Sequence, residues 1–205
     1  MQTTKKQHWE NVFSTKQENE VSWFQSNPKT SLGFFEKYNI SKSAEILEVG
    51  GGDSYLVDHL LEKGYENITL LDISENAIER AKKRLGIKSK NLEFVVSDIL
   101  DFQPKQKFEV WHDRASFHFL TVEEEICRYA DLAGQSINKG GYLFLGTFSE
   151  NGPQKCSGLD ITQYSEEKLK KIFSKDFEIL NVFFEDHQTP FNTIQNFIFC
   201  EMRKK

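Results

Sequence analysis

The residues best able to do chemistry sit in one stretch, Glu48–Val49–Gly50–Gly51–Gly52–Asp53–Ser54–Tyr55, and in three later acids, Asp72, Asp98 and Asp113. Three consecutive glycines let a ligand approach the main chain closely, because no Cβ stands in the way. A helical pattern follows at once, so the turn is expected to aim free N–H groups at whatever sits above it. A ligand with a negative or polar end belongs there. Asp72 falls 22 positions after Gly50, where a carboxylate can accept two hydrogen bonds from a ribose diol. Asp98 is placed to meet an adenine amino group, with a turn cap as its alternative role. Turn and acids together read as a site for a cofactor with a nucleoside end.

A dinucleotide fits less well. Its fingerprint needs a third small residue where this chain carries Tyr55. No lysine follows the turn, which excludes the GxxxxGK[ST] phosphate loop. The expected ligand therefore has a nucleoside but no pyrophosphate.

Four further groups are candidates for handling a second reactant. Asp113, followed by Arg114, is expected either to contact the cofactor or orient an acceptor, or to serve as an ion pair or cap. His118 lies among Phe117, Phe119 and Leu120, which suits a packed histidine as well as a catalytic one. His187 stands beside Glu185 and Asp186; acidic neighbours would raise its pKa, so either a base or acceptor-binding group or an ordinary solvated histidine is expected in a loop. Cys156 lies in a glycine-containing loop with nothing beside it in sequence to lower its pKa. No His/Cys/Asp/Glu spacing suggests a metal site.

These groups need elements to hold them. Ala44 to Val49 reads as a buried strand running into the glycine turn, followed by a helix to about Lys63. Asn67–Leu71 is a strand ending at Asp72, and Ser74 caps a helix carrying Ala77, Ile78, Ala81 and Leu85. Leu92–Val96 and Phe108–Trp111 are strands. Thr121 and Glu124 read as a capping box for a helix to about Ile137. Tyr142–Gly146 is a strand ending near Thr147, and Ser165 caps another helix. Phe177–Phe184 and Phe197–Glu201, with no helix between them, form an antiparallel pair. Alternating strands and helices predict an α/β fold, a doubly wound sheet with helices on both faces. Ligands bind such sheets at the carboxyl ends of the strands. That rim collects Gly50, Asp72, Asp98, Asp113, Thr147 and the loop around His187. Trp9 to Leu32 mixes polar residues with large aromatics; Trp23 and Phe24 are lid candidates.

The chain has 205 residues, 38% hydrophobic and 28% charged, with a net charge of −5. This suits one globular domain. The apolar runs are too short for a bilayer span, and the polar N-terminus lacks a secretory apolar region. The absence of a basic stripe argues against a nucleic-acid partner. Three scattered cysteines form no disulfide framework, so a cytoplasmic setting is expected.

Ile46–Leu47–Glu48–Val49–Gly50–Gly51–Gly52 resembles the first motif of class I S-adenosylmethionine-dependent methyltransferases. Leu70–Leu71–Asp72–Ile73–Ser74 resembles their second-strand acid, and Val96–Ser97–Asp98–Ile99 their adenine-side motif. Asn138–Lys139–Gly140–Gly141–Tyr142–Leu143 resembles the turn before their fifth strand. The family implies a Rossmann-like seven-stranded sheet with the last strand antiparallel. It also implies S-adenosyl-L-methionine as cofactor, held by Glu48, Gly50, Gly51, Gly52, Ser54, Tyr55, Asp72, Ile73, Ser97, Asp98, Ile99, His112 and Asp113. Trp111–His112–Asp113–Arg114–Ala115 resembles the Asp-Arg/Lys-Gly segment of thiopurine and thiol methyltransferases, with Ala115 in place of the glycine. Lysine methyltransferases acting on elongation factors carry a similar segment. The resemblance implies a cap over residues 1–40 and a methyltransferase domain over 41–205. It further implies methyl transfer to a small acceptor such as a thiol or amine. Asp113, His118 and His187 are then the catalytic candidates, with Trp23, Phe24, Thr147 and Cys156 near the acceptor. The alternatives are a protein lysine methyltransferase and a cofactor-binding module without turnover. No membrane partner is expected, and the sequence is silent on oligomeric state.

Overall fold

The computed structural model describes residues 4–205. Strands β1 (Ile46–Val49), β2 (Ile68–Asp72), β3 (Glu93–Val96), β4 (Phe108–Arg114) and β5 (Ile137–Phe148) alternate with helices. A small hairpin, β6 (Lys155–Cys156) and β7 (Leu159–Asp160), precedes the long pair β8 (Phe177–Gln188) and β9 (Ile194–Lys204). Seven strands form one sheet in the order β3-β2-β1-β4-β5-β9-β8. Strands β1 to β5 are mutually parallel, and β9 runs antiparallel to both β5 and β8. This is the expected sheet, with the final strand reversed.

Side-chain alternation divides the core. Ile46, Val110 and Phe144 face one cluster with Phe34 and Phe35 of α2 (Lys29–Lys37), Leu56 and Leu60 of α3 (Leu56–Glu62), and Ile78 of α4 (Glu75–Leu85). Leu47, Trp111 and Leu145 face the other, against Tyr129 and Ala133 of α5 (Glu123–Ser136) and Leu169 and Phe173 of α6 (Glu166–Phe173). Burying both faces is what permits a parallel sheet with continuous apolar strands.

Ser74 and Ser165 cap their helices as expected, accepting from the amides of Ala77 and Lys168. Helix α5 differs. Its N-cap is Val122 and no side chain caps it. Glu123, Glu124 and Glu125 occupy its first turn, where negative charge offsets the helix dipole. Helix α1 (Lys5–Thr15) opens with a capping box the sequence reading passed over, built by Thr4 and Gln7. The β8–β9 ladder also extends further than expected, through His187↔Gln195 to Gln188↔Ile194. His187 is therefore on a strand, and the loop is only Thr189–Thr193, closed by a Thr189 N–H to Thr193 carbonyl bond of 2.9 Å.

Below the rim lies a buried polar chain. Trp111 Nε1 donates to Tyr129 Oη (2.9 Å), and Tyr129 Oη donates to Asp113 Oδ2 (2.7 Å). The amides of Ser116 and Phe117 donate to Asp113 Oδ1, each at 3.2 Å. Asp113 thus pins the turn after β4 onto α5. Tyr129→Phe removes one donor from a fully buried carboxylate, and the expected loss is about 1–3 kcal/mol. Urea unfolding measures it; an unchanged midpoint would mean that the bridge does not stabilise the fold.

Candidate functional site

The carboxyl ends of β1 to β5 share one rim: Val49 pairs with Leu71 and Asp113, Asp72 with Val96, and Arg114 with Gly146. Two cavities open there. The larger has about 780 Å³ of empty space, open to solvent, and is lined among others by Gly50, Asp72, Ile73, Ser97, Asp98 and Ile99. Lys5, Trp9, Phe13 and Trp23 roof it from the N-terminal segment, and Ala115, Ser116 and Phe119 wall it from the turn after β4. The second, about 600 Å³, is lined by Glu48, Asp53, Ser54, Tyr55, His112, Ser31 and Phe24. Phe13, Trp23, Val49, Gly50 and Arg114 border both.

The glycine turn works differently from the expectation. Gly50 and Gly51 both donate to the Leu71 carbonyl, at 2.8 and 3.2 Å, and Gly52 donates to Asp72 Oδ2 at 3.1 Å. Ser54 N–H bonds back to Gly51. These four amides are engaged within the protein, so they do not point at a ligand. The glycines serve conformation and close packing instead. Gly50 has φ +64°, and a Cβ on Gly52 would lie 2.4 Å from Ala77 Cβ and 2.8 Å from Asp72 Oδ2. Ala115, where the resembling families have glycine, adopts φ +68°. That left-handed conformation costs a non-glycine residue about 1–2 kcal/mol.

Asp72 is buried and accepts from the amides of both Gly52 and Ser74. A carboxylate has room for further donors beyond these two, and Asp72 also lines the larger cavity. Burial pushes it up to about 6. Asp98 likewise caps the turn Ile99–Asp101 through Leu100 N–H (3.0 Å) while facing the same cavity. Glu48 is buried in the second cavity, its Oε2 without a partner, and burial pushes it up to about 8. At neutral pH it carries a proton. Asp53 pairs with Arg80 at 2.9 Å, and Tyr55 Oη donates to Glu18.

Other candidates lie off the cavities. Asp113 is wholly buried, bonded as described above, and lines neither. His118 is wholly buried and stacked on Phe148 with ring centroids 4.2 Å apart. Both its ring nitrogens lack partners, and burial, with Arg114 adding to it, lowers it to about 3. His112, which does line the second cavity, is lowered to about 3 for the same reasons, and its Nε2 lies 2.8 Å from Ser31 Oγ. His187 is buried, with Nε2 2.7 Å from the Ser22 carbonyl oxygen. Burial lowers its pKa and Arg114 lowers it further, outweighing Glu185. The expected raised, loop-borne histidine is thus corrected on both counts. Thr147 and Cys156 are buried away from both cavities, and burial raises the Cys156 thiol to about 11.

Sequence reasoning missed Lys5, Trp9, Arg114, Ser116 and Phe119 as lining residues. The Thr4–Gln7 capping box was the available signal for the helix that carries Lys5 and Trp9. Helix α1 is fastened to α4 at its middle and at its C-terminal end. Glu10 accepts from Ser74 Oγ (2.8 Å) and from the amides of Glu75 (2.7 Å) and Asn76 (3.1 Å). Arg80 donates to the carbonyls of Phe13 (2.9 Å) and Lys16 (2.8 Å). Trp9 then packs edge-on against Trp23 and Phe119, with ring centroids 5.6 and 5.0 Å away.

Residues 40–203 match the family model described as a methyltransferase domain. Malonyl-[acyl-carrier protein] O-methyltransferase 2 of Ilyobacter polytropus is 27% identical over 193 residues, covering 87% of this chain and 71% of that protein. The eEF1A lysine and N-terminal methyltransferase of Bos taurus is 28% identical over 159 residues, covering 74% of this chain but 22% of that protein. Among solved structures, N-methyltransferase NodS from Bradyrhizobium japonicum WM9, in complex with S-adenosyl-L-homocysteine, superposes with a TM-score of 0.68 at 14% identity. That match covers 95% of this chain and 97% of NodS. A structure concerning conversion of a disulfide bond into a thioacetal group during echinomycin biosynthesis reaches a TM-score of 0.78 at 18% identity, covering 96% and 91%. At these identities the structural likenesses speak for the fold.

Two outcomes follow from the packing and charges. Gly52→Ala forces a methyl into Ala77 and Asp72, and the expected cost is about 1–3 kcal/mol, read as a fall in Tm. Glu48 and Asp113 keep their protons in the folded chain up to about 8 and about 7, whereas unfolded carboxylates lose theirs near ~4. The folded state then binds more protons, so these two groups lower stability as pH rises. His112 and His118 act in the opposite sense, but only between about 3 and their unfolded value of roughly 6.5. His187, lowered by burial, acts with them, and unfolded histidines keep some protons to roughly pH 7.5. Tm should decline from about pH 7.5 upward, and Glu48→Gln should flatten the decline; the same slope in that variant would remove Glu48 from the account.

Proposed function

The chain belongs to the methyltransferase domain family, and from that premise we propose that it transfers a methyl group to a small-molecule acceptor such as a thiol or amine. Its cofactor is S-adenosylmethionine, whose sulfonium supplies an electrophilic methyl. The larger cavity fits that group. Asp72 and Asp98 offer acceptors for ribose and adenine, Ile73 and Ile99 offer apolar contact, and Gly50 leaves the floor open. Ser97 completes that wall. Glu48, Ser54, Tyr55 and His112 border the adjoining space and are assigned to the amino-acid end.

The observation that carries the small-acceptor reading is the roof. Trp9, Phe13, Trp23 and Phe119 roof part of the larger cavity, and Phe24 with Tyr55 lines the second. An aromatic roof narrows the way to the cofactor and suits a compact acceptor, whose positioning is most of what methyl displacement from a sulfonium requires. Of the expected cap over 1–40, the described residues 4–40 act as a cap in this reading, with 1–3 outside the described residues, and 41–205 as the catalytic domain.

A protein lysine target is the second reading, favoured by the name of the Bos taurus relative. A lysine tail calls for free negative charge near the acceptor. Here Glu48 is protonated, Asp53 is paired with Arg80, and Glu18 holds Tyr55. With Asp72 and Asp98 given to ribose and adenine, that leaves little to attract a cation.

Incubating the full chain with methyl-labelled S-adenosylmethionine and pooled thiols, amines and cell lysate tests the choice. Label should enter the small-molecule fraction. Label confined to a protein band would replace this reading with the second, and cofactor binding without any transfer would leave a binding module.

A further inference from the structure

Between α1 and α2 the chain crosses the rim as a strap, residues 17–27, whose one regular piece is the 3-10 turn Glu18–Glu20. Its backbone bonds are local: the Glu20 amide donates to the Gln17 carbonyl (3.0 Å) and the Phe24 amide to the Val21 carbonyl (3.4 Å). Side chains from the body of the protein hold it down. Tyr55 Oη donates to Glu18 Oε2 at 2.5 Å, and Arg114 Nη1 donates to the Trp23 carbonyl at 3.0 Å. His59 Nε2 lies 3.0 Å from the Ser26 carbonyl oxygen, and His187 Nε2 lies 2.7 Å from that of Ser22. Three of these four ties end on main-chain carbonyls, which any residue would supply. The bond to Glu18 alone among them depends on a side chain of the strap.

That bond also joins the two walls of one space. Glu18, Val21, Phe24 and Gln25 line the second cavity from the strap, and Ser54 and Tyr55 line it from the floor. The floor end is firmly set. The Tyr55 ring centroid lies 4.6 Å from the Arg84 guanidinium carbon, and the Phe24 ring meets it edge-on at 6.0 Å. Arg84 in turn donates to the Ser54 carbonyl (2.7 Å) and to Asp58 (3.0 Å). A bulky residue straight after the glycine turn thus has a use: it carries a hydroxyl from the floor up to the strap. A segment with few backbone ties to its surroundings opens more readily than the sheet beneath it. A hydrogen bond to a carboxylate is of the stronger kind, so this one weighs heavily on whether the strap lies down.

We propose that Glu18 is a positioning residue that acts through Tyr55: their bond holds residues 17–27 over the second cavity, and the closed strap retains the amino-acid end of the cofactor. The proposal rests on the assignment of that cavity under the methyltransferase reading above. It adds that the grip on this end is shared between the cavity floor and the cap.

Calorimetry on the full chain tests this with two ligands. S-adenosylhomocysteine has the amino-acid end, and 5′-methylthioadenosine keeps the nucleoside and thioether without it. Glu18→Ala and Tyr55→Phe should each weaken S-adenosylhomocysteine at least about tenfold. The double variant should be no weaker than either single one, because both remove the same bond. Glu18→Gln, which still accepts, should recover part of the loss. Affinity for 5′-methylthioadenosine should stay within about threefold throughout. Glu18 belongs to neither core cluster, so its variants test the bond even where Tyr55→Phe folds poorly. Unchanged S-adenosylhomocysteine affinity in Glu18→Ala overturns the proposal; a loss in Tyr55→Phe alone would assign the hydroxyl to the cofactor itself. A loss in Glu18→Ala alone also overturns it, by assigning the carboxylate to the cofactor's ammonium group. Losses that add in the double variant, or an equal loss for 5′-methylthioadenosine, overturn it too. Failure of the unmodified chain to bind either ligand is a different result: it sinks the cofactor reading, and this proposal with it.

Discussion

The Asp72 carboxylate is the joint on which the site depends. One oxygen takes the Gly52 amide and the other takes the Ser74 amide. It thereby fixes the glycine turn, the end of β2 and the start of α4 to one another. Gly52 has no Cβ because that space belongs to Asp72 and Ala77. From α4 the order spreads outward: Ser74 and its neighbouring amides receive Glu10, and Arg80 receives the last carbonyls of α1 together with Asp53. The floor of the larger cavity and the helix that roofs it are therefore referred to the same element. Displacing α4 would move both.

Charge is sorted across this framework. On the β1–β2 side burial pushes Glu48 up to about 8, Arg80 pairs with Asp53, and Asp72 is answered by two backbone amides. On the β4 side the dominant charge is the Arg114 cation, with three histidines kept neutral around it. In a low-dielectric setting unmatched charges are expensive and act strongly on whatever enters. The larger cavity thus presents carboxylate oxygens at one end and the Arg114 guanidinium at the other.

The sheet was legible in the chain because its signals are local. Apolar runs of strand length, Ser74 and Ser165 at helix starts, and a helix-free step between the last two strands each state a backbone preference within a few residues. Their order then implies the topology. Boundaries were less legible where pairing extends a strand beyond its apolar run. The β8–β9 ladder continues through polar residues to Gln188, because each strand satisfies the other's backbone. Thr121 and Glu124 had the letters of a capping box, yet the N-cap is Val122 and α5 begins at Glu123, with its charge carried by three glutamates.

What the sequence by itself determined, then, is the order of elements and part of the set of residues delivered to the rim: a glycine turn, Asp72, Asp98 and an aromatic N-terminal segment, but not Arg114. Which way those side chains turn was settled only by tertiary packing. The turn amides close on Leu71 and Asp72, Asp113 swings under the rim to Tyr129, and His118 lies flat on Phe148. Local spacing places a residue on a face, but its environment is built from strands and helices far away in the chain. Burial and neighbouring charge, the quantities that set a group's protonation, exist only once those distant segments have met.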